Sequence, residues 1–217
     1  MRSMRITVLG SGTSHGVPMI GCDCDVCQSP NPKDKRFRPS IFVESQGSTI
    51  LVDTTPELRM QAMAFGLKRV DTVFITHVHA DHIFGLDDLR RFNDLKGSEI
   101  AVYGTPEVLD DIRRIFNYIF MQTQVGGGKP RISLTEMPEV MELYGVRIQS
   151  MTVMHGKLPV KAFRFNDVAY VTDTNYIPPE SIEKLRGLDT LILDCVRPIP
   201  HPTHFGLDQS LAVIADL

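Results

Sequence analysis

The stretch Thr76-His77-Val78-His79-Ala80-Asp81-His82 packs three histidines and an aspartate into six positions, directly after the apolar run Val73-Phe74-Ile75. A strand that ends in such a loop aims several ligating side chains at one point. Imidazole and carboxylate together suit zinc, iron and manganese, and two such ions held side by side are a device for hydrolysis. A second group is Cys22, Cys24 and Cys27, within seven residues of Gly21-Cys22-Asp23-Cys24-Asp25-Val26-Cys27. Three cysteines this close do not make a long-range disulfide framework. In a reducing compartment such a cluster binds metal, and a tetrahedral zinc site needs a fourth ligand from elsewhere. Downstream lie His155 before Gly156, Asp173 after Val171-Thr172, and His201 and His204 in Pro200-His201-Pro202-Thr203-His204. Each of these has a bland reading as a cap or surface residue; beside the histidine loop they become candidate ligands or helpers. His15, in the opening loop, is a further candidate to reach the site, and Cys195, after Leu191-Ile192-Leu193, is expected to be a small buried apolar residue.

The elements that must position these groups are legible from periodicity and turn residues. Ile6–Leu9 is expected as an opening strand running into the glycine-rich turn Gly10–Ser14, and Ile41–Glu44 and Thr49–Asp53 as a hairpin around Gln46-Gly47. Val73–Thr76 is the strand that delivers the histidine loop. Asp87–Asp94 is expected as helix, Ile100–Tyr103 as strand, and Thr105 as the N-cap of a helix beginning at Pro106 and running to about Met121. Gly126-Gly127-Gly128 is read as a loop near the mouth of the site. Strands are then expected over Ile132–Thr135, Met141–Leu143, Val146–Val153, Val160–Phe165, Val168–Thr172 and Leu191–Asp194, with a short helix opened by Pro178-Pro179-Glu180. Strands and helices are mixed without strict alternation, so two sheets flanked by helices fit better than one doubly wound sheet. Leu207, Leu211, Ile214 and Leu217 form the apolar stripe of a last helix with no stop signal after it, and a chain truncated at the C-terminus is the expectation.

A length of 217 residues suits one domain, 1–217, with a real core. A formal charge of −3 disfavours a general nucleic-acid binder, which usually carries a basic excess. No apolar run approaches the length of a membrane span, and Ile6-Thr7-Val8-Leu9 stops at Gly10, too short for a signal sequence. A cytoplasmic protein with no membrane partner is expected.

The motif His77-x-His79-x-Asp81-His82, followed by His155 and Asp173, resembles the metallo-β-lactamase superfamily. That resemblance implies an α/β (α+β) chain folded as an αββα sandwich with a dinuclear centre at one edge. It implies that His77, His79 and His155 hold one ion, that Asp81 and His82 hold the other, and that Asp173 bridges both. Asp53, at the end of Ile50-Leu51-Val52, matches the buried carboxylate that supports the histidine loop in that superfamily.

A narrower likeness covers nearly the whole chain. Gly10-x-Gly12, Gly16-Val17-Pro18, the three-cysteine loop, Arg36-x-Arg38, His155-x-Lys157-Leu158, Asp173-Thr174 with Pro179-Glu180, and Asp194-Cys195 resemble the phosphoribosyl 1,2-cyclic phosphate phosphodiesterases of bacterial phosphonate breakdown. The resemblance implies hydrolysis of a small cyclic phosphate by water activated between two divalent ions, zinc or manganese or iron. His204 is then the candidate general acid or phosphate anchor, Asp81 the other catalytic residue, and the cysteine cluster a structural zinc site. It is compatible with a homodimer. The likeness departs at the C-terminus: those proteins continue into a threonine-histidine-x-x-histidine element absent from this sequence, so an incomplete metal set is expected. The alternatives are a tRNA 3′-processing endonuclease of the same superfamily, a non-hydrolytic relative similar to pyrroloquinoline quinone biosynthesis protein B, and an inactive fragment.

Overall fold

The computed structural model describes residues 4–122 and 128–217. Within it the chain forms two compact units, Met1–Met137 and Pro138–Leu217. Gly126 and Gly127 of the expected glycine loop lie outside the described residues.

The first unit holds a six-stranded sheet in the order β1 (Arg5–Gly10), β2 (Ser40–Ser45), β3 (Ser48–Val52), β4 (Thr72–Phe74), β5 (Ile100–Gly104) and β6 (Ile132–Glu136). The first three strands pair antiparallel and the last four run parallel from β3 to β6. The expected hairpin is present. Gln46 and Gly47 both take positive φ, 52° and 76°, which is the two-residue turn whose twist matches the strands it joins. β4 is buried along its whole length, as a strand covered on both faces must be. Its Val73 joins Leu51, Ile75, Val102 and Leu89 in the core of this unit.

Among the described residues, six α-helices accompany this sheet: α1 (Asp25–Gln28), α2 (Leu58–Phe65), α3 (Ala80–Ile83), α4 (Leu89–Lys96), α5 (Pro106–Ile115) and α6 (Asn117–Phe120). Thr105 caps α5 as expected, its hydroxyl accepting from the Val108 N–H, with Pro106 in the first turn. The helix does not run unbroken to Met121, however. Phe116 leaves the helical region at φ −106° and ψ 39°, because its ring turns into the core, and α6 starts a new turn. A short 3₁₀ turn at Leu86–Asp88 precedes α4, so the helix expected over Asp87–Asp94 begins two residues later.

The second unit holds a five-stranded sheet, ordered β11 (Thr190–Leu193), β10 (Val168–Val171), β9 (Leu158–Phe165), β8 (Val146–His155) and β7 (Val140–Leu143). Only the β10–β11 pair is parallel. α7 (Pro179–Leu185) and α8 (Leu207–Asp216) belong to this unit. Val153, Val160, Ala162, Val171 and Phe205 form its core, against which Val213 of the last helix and Leu217 just past it pack. Cys195 is exposed rather than buried. It stands two residues past β11, and of Asp194 and Cys195 only Asp194 is buried. No helix among the described residues is long and apolar enough to cross a membrane.

Asp71, just ahead of β4, ties the sheet to its surroundings. Its carboxylate accepts from the Thr49 N–H at 2.9 Å and from Arg69 at 2.7 Å, with Lys96 at 3.4 Å. Burial alone would raise its pKa, but Arg69 and the Thr49 N–H outweigh it and hold the carboxyl below the ordinary range. A depressed carboxyl contributes stability that is present above its unfolded pKa of about 3.9 and is lost as the pH falls through the lower folded value. Asp71→Asn should therefore destabilise the protein by about 1–3 kcal/mol at neutral pH. Denaturant titrations should show that difference shrinking as the pH drops below about 3.9; a penalty independent of pH would mean that the charge is not what matters.

Candidate metal centre

The β3–β4 register builds the first cluster. Val52 pairs with Phe74, and the chain continues past β3 with Asp53 in the left-handed region at φ 65°, its N–H bonded to the Phe74 carbonyl at 2.9 Å. This turn drops the Asp53 carboxylate beneath the histidine loop, where it is fully buried. Oδ1 accepts from the Thr76 N–H at 2.8 Å, and Oδ2 accepts from the Thr76 hydroxyl at 2.9 Å and pairs with His82 Nδ1 at 2.7 Å. Burial pushes the Asp53 pKa up, against the opposing pull of His82 and the two Thr76 donors.

The loop itself is pinned from below. The Thr54 N–H bonds to the His82 carbonyl at 2.7 Å, and the Gly85 N–H bonds to the Thr54 carbonyl at 2.9 Å. A Cβ at Gly85 would stand 2.0 Å from the Thr55 carbonyl oxygen, so this close approach requires glycine. The result is a compact set of rings. His77 and His79 have ring centroids 4.5 Å apart, and His77 and His82 4.2 Å apart. Asp81 Oδ2 is 3.5 Å from His82 Nε2. The Thr76 hydroxyl lies 2.9 Å from His77 Nδ1. With the Nδ1 edges of His77 and His82 engaged, Nε2 is the edge each would offer a metal.

The second unit carries its own cluster. His155 ends β8, Asp173 follows β10 at φ 50°, and His204 lies ahead of α8. One ligand atom from each lies within 4.8 Å of the others. His155 Nδ1 is 2.7 Å from the Thr203 carbonyl, and the His155 and His204 rings are 4.6 Å apart. Asp194 Oδ2 accepts from the Thr174 N–H at 2.8 Å and pairs with His204 Nδ1 at 2.7 Å. Burial alone would lower the His204 pKa; the Asp194 hydrogen bond and charge outweigh it and raise the value.

The three cysteines also converge, with Sγ atoms within 4.8 Å of one another. Met19 donates its N–H to Cys27 Sγ at 3.4 Å, and Lys35 ties the Cys27 carbonyl at 3.0 Å. The Cys27 N–H, with the other two cysteine side chains, holds the Cys24 thiol below its ordinary pKa. Cys22 is favoured as thiolate by the Cys24 N–H, but its two neighbouring thiols and burial push it up overall.

Each expected residue thus has a definite place. His77, His79, Asp81 and His82 are gathered in the first unit over Asp53, and His155, Asp173 and His204 in the second. The donor types, imidazole and carboxylate in one set and thiolate in the other, suit divalent first-row ions. His201, also a candidate from the sequence, lies in the second cluster's neighbourhood, its ring 5.4 Å from that of His204. His15 is exposed in the opening loop. Sequence reasoning missed the work of Asp194 and Thr203. Asp194 had a signal, since like Asp53 it directly follows a β-branched and leucine run; a backbone carbonyl such as that of Thr203 leaves none.

The family described as "Beta-lactamase superfamily domain" matches residues 48–217. A solved structure of a new diphosphatase from the PhnP family is 42% identical, with a TM-score of 0.89, and the match covers 99% of this chain and 83% of that one. Octanoyltransferase of Porphyromonas gingivalis is 37% identical over 218 residues, covering 99% of this chain and 44% of that protein. Coenzyme PQQ synthesis protein B of Methylobacterium radiotolerans is 31% identical over 130 residues, covering 52% of this chain and 42% of that protein. The chain spans less than half the length of either of these curated relatives.

Partners that orient a ligating imidazole are worth about 10–100-fold in metal affinity. Asp53→Asn keeps an acceptor for Thr76 but removes the carboxylate that holds His82 Nδ1. It should weaken binding of zinc or manganese by a factor in that range in a competition titration, with the fold retained by circular dichroism. Unchanged affinity would separate Asp53 from the metal centre.

Proposed function

Because this chain belongs to the beta-lactamase superfamily, we propose that it is a divalent-metal-dependent phosphodiesterase, its substrate a small cyclic phosphate such as phosphoribosyl 1,2-cyclic phosphate. The observation that carries the reading is the pairing of Asp81 with His82 on a carboxylate-anchored histidine loop, in a chain 42% identical to a PhnP-family diphosphatase. His77, His79, Asp81 and His82, with His155 and Asp173, are the residues that would hold two ions of zinc, manganese or iron. When bound, such ions polarise a phosphoryl oxygen and lower the pKa of a coordinated water to about 7.

The chain's own residues supply the rest. Asp53 and Thr76 fix the imidazoles of His82 and His77 before substrate arrives, so no reorganisation is needed during the reaction. Asp194 holds His204 by Nδ1 and favours its protonated form. His204 can then give its Nε2 proton to the departing sugar oxygen. Cys22, Cys24 and Cys27 would bind a separate structural zinc as thiolates, which fix loops rather than react. Thiols kept reduced for that purpose fit a cytosolic setting. Acyl transfer is not carried over from the octanoyltransferase, of which the match takes in 44%. Cleavage of precursor tRNA is the alternative, and a net charge of −3 weighs against it.

The test is turnover of a panel of cyclic phosphates, nucleotide diphosphates, generic diesters and precursor tRNA by the metal-loaded protein. The expected result is metal-dependent opening of a small cyclic phosphate; preferential cleavage of tRNA would reverse the ranking. His204→Ala should cut turnover by about 10²–10⁴-fold with bound metal unchanged. Loss of metal instead would make His204 a ligand.

A further inference from the structure

Away from both histidine clusters, α2 and α4 of the first unit border a cavity of about 510 Å³. That is the size of a small-molecule pocket, roughly 300–1,000 Å³. Ala62, Met63, Leu67, Phe92 and Leu95 give it an apolar lining. Leu67 and Phe92 are buried at 7% and 5% exposure and form the floor, while Met63 and Leu95, 57% and 56% exposed, form movable walls. One aromatic ring among aliphatic and thioether groups suits a flexible hydrocarbon chain better than a flat ring system.

The charges around this lining are one-sided. Arg59, Lys68, Arg90 and Arg91 stand at the rim against the single carboxylate of Asp88. Arg90 pairs with Asp87 at 3.4 Å. Arg59, Lys68 and Arg91 are exposed and have no ion-pair partner among the described residues. The chain as a whole carries a formal charge of −3, so this concentration of cations runs against its overall balance. Guanidinium groups offer the planar donor pairs that recognise carboxylates.

We propose that this groove is a binding site for a free single-chain aliphatic carboxylate, its hydrocarbon chain lying along Met63, Leu67, Phe92 and Leu95 and its head held by Arg59, Lys68 and Arg91. None of these residues belongs to the histidine or cysteine clusters, so the site is independent of the hydrolytic reading.

Calorimetric titration of the metal-loaded protein with decanoate tests it. Decyltrimethylammonium serves as the chain of opposite charge and acetate as the head alone. The expected result is one decanoate per chain, with both controls at least tenfold weaker. Met63→Glu and Arg91→Glu, both at exposed positions, should each weaken decanoate at least tenfold while circular dichroism and bound metal stay unchanged. Equal binding of the two decyl compounds, or variants that bind decanoate as well as the parent, would overturn the proposal. So would two other results obtained without decanoate binding: a concentration-dependent dimer broken by Met63→Glu, which would assign the groove to a second copy, or attachment to phosphatidylglycerol vesicles, which would assign it to a membrane surface.

Discussion

The carboxylate of Asp53, wholly enclosed and bonded to Thr76 and His82, is the constraint on which the first unit's cluster depends. A buried carboxylate costs several kcal/mol unless it is well paired. Here the contacts that satisfy the group also tie together both ends of the loop, Thr76 and His82. The chain of cause runs back to sheet register. β3 and β4 pair so that Val52 faces Phe74; the left-handed turn at Asp53 follows, and His82 takes its orientation from the carboxylate. A one-residue slip would turn the carboxylate to the other face.

The second unit uses the same device on unrelated strands. Asp194 follows β11 as Asp53 follows β3, and its carboxylate likewise accepts from a threonine N–H at 2.8 Å and holds a histidine Nδ1 at 2.7 Å. The environments differ in exposure. His82 is completely buried, with its Nε2 3.5 Å from Asp81 Oδ2. His204 keeps some exposure and has its pKa raised, a setting for an imidazole that carries a proton. Two strand-end aspartates thereby fix two histidines by Nδ1, one fully buried and one partly exposed.

Much of this was readable from the residues alone. The β-branched runs before Asp53, His77 and Asp194 announce strands, and the spacing of His77, His79, Asp81 and His82 admits few other purposes. What escaped reading was decided by tertiary contacts. α2 buries only Leu58 and Gln61, and Gln61 is there because its amide bridges the Thr55 hydroxyl and the Arg38 carbonyl; two buried positions, one polar, leave no helical stripe to detect. The break at Phe116 and the exposure of Cys195 likewise depend on which way one side chain turns at the end of an element. The pairing of His155 with the Thr203 carbonyl joins residues 48 positions apart through a backbone atom that no side-chain pattern encodes.

In the proposed function, histidine and aspartate hold the working ions while the cysteines hold a separate structural one. Native mass spectrometry of the zinc-loaded chain, with His77→Ala and Cys24→Ser beside it, reads this division as mass. The account predicts that His77→Ala loses zinc while keeping the ion at the cysteines, and that Cys24→Ser loses that ion and keeps the others. A zinc count in His77→Ala equal to that of the parent chain would contradict it.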